Sequence, residues 1–162
     1  MKILVLGITG LIGRYIFSVL HNSFDVIGTT RKKQIDLIDT NLYQNKNILY
    51  NFDILKSSEV KNKIIDLRPD YIINCIGITK RKITDNTIDV IYTNSIFPHK
   101  LSKLSELFNC KVIHFSTDCV FSGDKGFYDE ESNTDALDLY GKTKALGEIK
   151  YKNSLTIRSS FI

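Results

Sequence analysis

Along the chain, short apolar runs alternate with segments in which apolar positions recur every three or four residues. That alternation is the signature of strand–helix–strand units and a parallel sheet. "KILVLG" (2–7) predicts a buried strand, and Leu11, Ile12, Tyr15, Ile16, Val19 and Leu20 form a helical stripe ending near His21 and Asn22. "DVIGTT" (25–30) predicts a second strand and, after the stretch 31–48, "ILYNFD" (48–53) a third. Val60, Ile64 and Leu67 mark a helix that Pro69 helps to end, and "YIINCIG" (71–77) is the fourth strand. Phe97, Leu101, Leu104 and Phe108 then predict a long helix that Pro98 kinks or interrupts, followed by a fifth strand, "KVIHFS" (111–116). A loop rich in Gly, Asp, Ser and Asn spans 117–136, a helix carries Tyr140 and Lys144, and "LTIRSS" (155–160) is the sixth strand. The expected fold is α/β: a Rossmann-type, doubly wound parallel sheet of order 3-2-1-4-5-6, in one domain over 1–162 without repeats or linkers.

Composition excludes several alternatives. With 43% hydrophobic and 25% charged residues, 162 residues suffice for one well-filled core, and disorder is not expected. No apolar run approaches the roughly 20 residues of a membrane span, and "MKILVLGITG" lacks a secretory cleavage pattern. A cytoplasmic protein with no membrane partner is therefore expected. Cys75, Cys110 and Cys119 lack metal-type spacing and each lies in or beside a predicted strand, so reduced, half-buried thiols and no metal are expected. The net charge of +4 comes without an aromatic-rich basic block, which suits a small anionic ligand better than nucleic acid.

Between the first strand and first helix stands Gly7-Ile8-Thr9-Gly10-Leu11-Ile12-Gly13. Glycines there permit a tight turn and close backbone approach, so that amides at the positive helix end can hold a pyrophosphate. A ligand-free tight turn would use the same residues. At the end of the second strand, where a carboxylate would take the ribose 2′-hydroxyl of NAD, the chain reads Thr29-Thr30-Arg31-Lys32-Lys33. Cations match a 2′-phosphate and a carboxylate would repel it, so NADP is preferred and NAD is left open. Asp53, ending the third strand, stands where such folds contact adenine, or else caps a helix. Lys80, Arg81 and Lys82 follow the fourth strand at the carboxyl edge of the sheet, where they could meet a substrate diphosphate or form a solvated loop.

In "DLYGKTK" (138–144), Tyr140, Lys144 and Gly147 fall within an arc of roughly 60° at about 100° per residue, while Leu139, Leu146 and Ile149 point away from it. The pair is therefore not required by the core. By itself this spacing also fits a solvated helix face.

The glycine loop, "NCIG" (74–77), Asn94, "STDCVFSG" (116–123) and "YGKTK" (140–144) occur in an order that resembles the extended short-chain dehydrogenase/reductases. The closest resemblance is to the dTDP-4-dehydrorhamnose reductase group of nucleotide-sugar reductases, and it covers essentially the whole chain. The resemblance implies an NADPH-dependent reductase of a nucleotide-linked 4-keto-6-deoxy sugar, serving deoxysugar or surface-polysaccharide synthesis. Thr117, Tyr140 and Lys144 would be catalytic. Tyr140 would give a proton to the carbonyl oxygen, with its pKa lowered by the Lys144 ammonium, which would also hold the nicotinamide ribose; Thr117 would polarise the carbonyl. The implied cofactor contacts are Gly7, Thr9, Gly10, Leu11, Ile12, Gly13, Thr30, Arg31, Lys32, Asp53, Ile54, Cys75, Ile76, Gly77, Asn94, Ser116, Tyr140 and Lys144. Thr117, Asp118, Lys80 and Arg81 would face the substrate.

Some members carry a carboxylate two positions after the third glycine for a metal-linked dimer. Tyr15 stands there, so neither that metal nor that dimer is implied, and a homodimer of another kind is left open. The family continues beyond the sixth strand into a small lobe that grips the sugar, whereas this sequence reads "RSSFI" after "LTI", with Arg158 and Ser159 matching the strand that leads there. The expectation is a dinucleotide-binding domain truncated before its substrate lobe, turning over sugar poorly or not at all. Two other readings stay open: a nucleotide-sugar epimerase or dehydratase, and a noncatalytic NADP-binding regulatory subunit similar to the reductase-like one of methionine adenosyltransferase.

Overall fold

A computed structural model describes residues 1–37, 47–83 and 86–160. Positions 38–46 of the 31–48 stretch, and Phe161 and Ile162 of "RSSFI", lie outside the described residues. Six strands, β1 (Lys2–Leu6), β2 (Asp25–Thr29), β3 (Ile48–Leu49), β4 (Tyr71–Asn74), β5 (Lys111–Phe115) and β6 (Ser154–Ile157), form one sheet of order β3-β2-β1-β4-β5-β6. Every adjacent pair is parallel, as the alternating pattern predicts. The order reverses between β1 and β4, which opens a crevice at the carboxyl ends of those two strands.

β1 shows why the sheet has two covered faces. Leu4 and Leu6 pack into one cluster with Ile64 of α2 (Ser57–Leu67) and Leu101 of α4 (Phe97–Ser105). Ile3 and Val5 point the other way, into a second cluster with Phe17 of α1 (Leu11–Leu20). A strand buried on both faces needs an unbroken apolar run, which "ILVL" supplies.

Several elements differ from their expected extents. The third strand stops at Leu49 because Asn51 turns the chain with φ 55°; Phe52 and Ile54 still enter the core. β4 and β6 also end sooner than expected, at Asn74 and Ile157. The long helix is a composite: α3 (Thr87–Ile91), a π-helical stretch Tyr92–Ile96, then α4. Pro98 has no N–H to offer the Asn94 carbonyl four residues back, and the wider π turn accommodates that gap.

The last helix, α5 (Leu139–Leu146), reverses the sequence expectation of its faces. Lys144 is only 4% exposed and Leu146 is 68% exposed. The buried flank carries Gly141, Thr143, Lys144 and Gly147, because α5 approaches its neighbours backbone to backbone rather than through large apolar side chains. Asp138 caps the helix by accepting from Gly141 N at 2.8 Å.

Candidate active site

The crevice at the β1/β4 switch forms a cavity of about 600 Å³. Its walls are the glycine loop (Gly7, Thr9, Gly10), the end of β2 (Thr30, Arg31, Lys32), the segment after β3 (Asp53, Ile54) and the end of β4 (Cys75, Ile76, Gly77). Most of the residues expected to touch a cofactor thus line one cleft.

The loop is built for close approach. Gly7 has φ +83°, a conformation a side chain would strain, and its amide donates to Thr29 O at 3.2 Å. Gly10 N-caps α1 without any side-chain cap bond, and no acidic residue occupies the first turn, so the amides of Leu11, Ile12 and Gly13 face no competing carboxylate from that turn. Those features fit the pyrophosphate of a dinucleotide. Thr9 Oγ1 and Thr30 Oγ1 lie 3.4 Å apart across the cleft floor, while Arg31 and Lys32 extend from its rim exposed to solvent. Asp53 both lines the cleft and accepts from Leu55 N at 3.1 Å, so the capping and ligand-facing alternatives coexist.

Beyond the cleft, four elements meet around Lys144. Its Nζ donates to Phe115 O at 2.6 Å, at the end of β5. A Cβ on Gly77 would stand 3.9 Å from Lys144 Nζ and 3.6 Å from Asn94 Oδ1, so the main chain after β4 faces both groups. Asn94, in the π-helical stretch, accepts from Ile78 N at 2.8 Å and donates to Ile78 O at 3.0 Å and Thr143 Oγ1 at 3.2 Å. It therefore ties the post-β4 segment to α5.

Thr117 lies directly after β5, where its Oγ1 donates to Asp118 Oδ1 at 3.1 Å and accepts from Cys119 N at 3.2 Å. Its side chain also faces the Tyr140 phenol. Burial pushes that phenol above its ordinary pKa, the Thr117 hydroxyl pulls it down, and the nearby Cys119, Asp118 and Asp138 push it up. The expected depression by Lys144 is thus corrected: desolvation wins, and the ammonium is directed at the Phe115 carbonyl. Burial lowers Lys144 itself to about 8, partly offset by the negative charge of Glu148.

Other expected contacts are engaged elsewhere. Ser116 Oγ donates to Glu148 Oε1 at 2.9 Å. Lys80 forms an exposed 2.7 Å ion pair with Asp138, which joins the post-β4 segment to the cap of α5 instead of leaving the ammonium free. Arg81 and Asp118 are exposed, and the Lys82 side chain lies outside the described residues. Cys119 is exposed rather than half-buried, while burial raises the Cys75 and Cys110 thiols to about 12. No group of three or more His, Cys, Asp or Glu among the described residues could hold a metal ion, and no helix there is long and apolar enough to cross a membrane.

Sequence reasoning missed two buried polar features. Asn74 Nδ2 donates to His114 Nδ1 at 3.0 Å under the site, and Glu148 pairs with Arg158 at 2.8 Å. A histidine inside a strand run and a glutamate four residues after Lys144 were the available signals.

Residues 1–161 match the family described as the RmlD substrate binding domain. The chain belongs to that family. Its fold and motif order are those of the extended reductases that the family includes. Among solved structures, a hypothetical dTDP-4-dehydrorhamnose reductase from Sulfolobus tokodaii superposes with a TM-score of 0.85 at 26% identity, covering 99% of this chain and 56% of that one. The Xenopus laevis methionine adenosyltransferase 2 subunit beta is 28% identical over 91% of this chain and 41% of its own length. The Bacillus subtilis spore coat polysaccharide biosynthesis protein SpsK is 27% identical over 99% of this chain and 53% of its own. The chain spans about half the length of the curated relatives it matches.

Proposed function

We propose that residues 1–162 form the cofactor-binding and proton-transfer part of an NADPH-dependent reductase acting on a nucleotide-linked 4-keto-6-deoxy sugar. Sugar recognition is assigned to the half of the relatives that these residues do not match. The observation that carries the reading is the meeting of Thr117, the Tyr140 phenol, buried Lys144 and Gly77 beside a cleft bounded by the glycine loop.

In this reading the amides of Leu11, Ile12 and Gly13 would bind the pyrophosphate, Thr30, Arg31 and Lys32 would hold the 2′-phosphate, and Asp53 and Ile54 would border the adenine. When bound, NADPH supplies the hydride for the carbonyl carbon. Tyr140 Oη gives its proton to the carbonyl oxygen, and its raised pKa keeps the proton in place until then. Thr117 orients the carbonyl by its hydroxyl. Lys144, held on the Phe115 carbonyl, would offer its remaining N–H groups to ribose oxygens, while Asn94 fixes the Ile78 main chain opposite it. Asp118 and Arg81 border the sugar side, and Lys80 reaches a diphosphate only after releasing Asp138.

Similarity to the methionine adenosyltransferase subunit favours a second reading, a noncatalytic NADP-binding partner subunit. Titration with NADPH and NADH, then turnover of a panel of nucleotide 4-keto sugars by the wild-type and Tyr140→Phe chains, separates the two. The reductase reading expects NADPH binding in both chains and a loss of roughly 10²–10⁴-fold in turnover for the variant. Turnover that is lost in Tyr140→Phe sinks the second reading, NADPH binding with no turnover by the wild-type chain fits a partner subunit or a reductase part without its sugar-binding half, and absence of dinucleotide binding sinks both.

A further inference from the structure

The helix that carries Tyr140 and Lys144 is followed by a buried carboxylate that the proposed reaction does not use. Glu148 comes four residues after Lys144, and its side chain is 7% exposed. Its Oε1 accepts from Ser116 Oγ and from Arg158 Nε, both at 2.9 Å, and its Oε2 accepts from Arg158 Nη2 at 2.8 Å. Arg158 is fixed in turn: Nη1 donates to the carbonyls of Asp129 at 3.5 Å and Glu130 at 3.4 Å, and the guanidinium lies 4.9 Å from the Phe121 ring centroid. The carboxylate is thus held from the end of β5 and from the residue after β6, in the bidentate geometry that orients such pairs most firmly.

This clamp is coupled to the site through β5. Phe115, whose carbonyl receives Lys144 Nζ, immediately precedes Ser116, whose hydroxyl holds Glu148. Three titratable groups bear on Lys144: Glu148 from its own chain segment, Cys75 from the end of β4 and His114 from β5. Burial holds the Cys75 thiol at about 12 and the His114 imidazole at about 3, so both are neutral near pH 7. Of these three, Glu148 does most to raise the Lys144 pKa against burial.

We propose that Glu148 is a positioning residue for Lys144: a clamped counter-charge one turn along the chain that keeps the buried ammonium charged. Its purpose rests on the reductase reading, in which Lys144 serves the cofactor ribose. Its test does not.

Side-chain NMR of the full chain without cofactor reports the Lys144 titration midpoint, with Lys144→Arg assigning the signal. Glu148→Gln is expected to lower that midpoint by about one pH unit, tenfold in acid constant. A carboxylate that only fastened α5 to the sheet would act oppositely, since loosening the helix hydrates Lys144 and raises the midpoint. An unchanged or raised midpoint in folded Glu148→Gln overturns the proposal. If that variant does not fold, a second one that keeps the side-chain volume decides. Folded Glu148→Met should likewise lower the Lys144 midpoint, and an unchanged or raised midpoint overturns the proposal. Failure of the wild-type chain to bind NADPH would count against the reductase reading and leave both titrations intact.

Discussion

Gly147, the residue that caps α5, lies directly against the main-chain carbonyl of Asn94 in the π-helical stretch. Pro98 denies that carbonyl its ordinary helical partner, and the absence of a side chain at 147 lets α5 close over it. A Cβ at 147 would collide with backbone, which cannot swing aside as a side chain can. Gly147→Ala is therefore expected to destabilise the fold by about 1–3 kcal/mol, the usual range for overpacking. Urea denaturation should show the midpoint falling with an unchanged slope. Because the displaced element carries Lys144, dinucleotide affinity should fall as well.

Burial of Lys144 makes stability depend on alkaline pH. Its folded pKa of about 8 lies below the ordinary lysine value, so between about pH 8 and 10.5 the unfolded chain binds the extra proton. Stability contributed at this position is absent below pH 8, where the charged amine is held in the interior at a cost on the order of 3 kcal/mol, and is gained as pH rises through that window. Cys75 and Cys110, raised to about 12, act in the opposite sense above pH 9. Comparing wild type with Lys144→Met cancels the thiols. The wild type should gain on the variant from pH 8 to 10 in urea midpoints, and parallel curves would contradict the burial of a charged amine.

How much of this could be read from sequence depended on whether apolar residues did the packing. β1 was legible because "ILVL" fills both faces of a central strand, and the parallel order followed from the alternation of runs and stripes. The short β3 was not, because its end is set by the left-handed backbone of Asn51 while Phe52 and Ile54 still look like strand residues. α5 was misread because small and polar residues line its inner flank while Leu146 faces outward. The cleft residues were legible through strand ends and glycine spacing. The Asn74–His114 and Glu148–Arg158 contacts join residues 40 and 10 positions apart, and no local pattern announces them.

His114 should dominate the acid limb of stability. It is fully buried on β5, accepts from Asn74 through Nδ1, and its Nε2 finds no partner among the described residues. Burial lowers its pKa from 6.5 to about 3, helped by the Lys144 charge. The unfolded chain therefore binds the proton first, so the stability associated with neutral His114 is present above pH 6.5 and lost as pH falls toward 3. His114→Gln retains an acceptor for Asn74 and removes the titration. Its acid-unfolding midpoint, followed by circular dichroism, should lie below that of wild type even if its stability at pH 7 is lower.

Selection between the two dinucleotides should reside in the exposed cations after β2. Arg31 and Lys32 border the cleft, and no ion pair among the described residues commits either one elsewhere. Replacing both with Ala removes charges that a 2′-phosphate meets and a 2′-hydroxyl does not. Exposed contacts of this kind contribute about 1 kcal/mol each, so NADPH affinity should fall roughly 10- to 30-fold while NADH affinity changes little. Salt gives an independent check, because screening acts on the phosphate contacts. Raising ionic strength should weaken NADPH binding to the wild type more than to the double variant. Equal losses for both dinucleotides would assign Arg31 and Lys32 to the shared pyrophosphate and leave the 2′-position to Thr30.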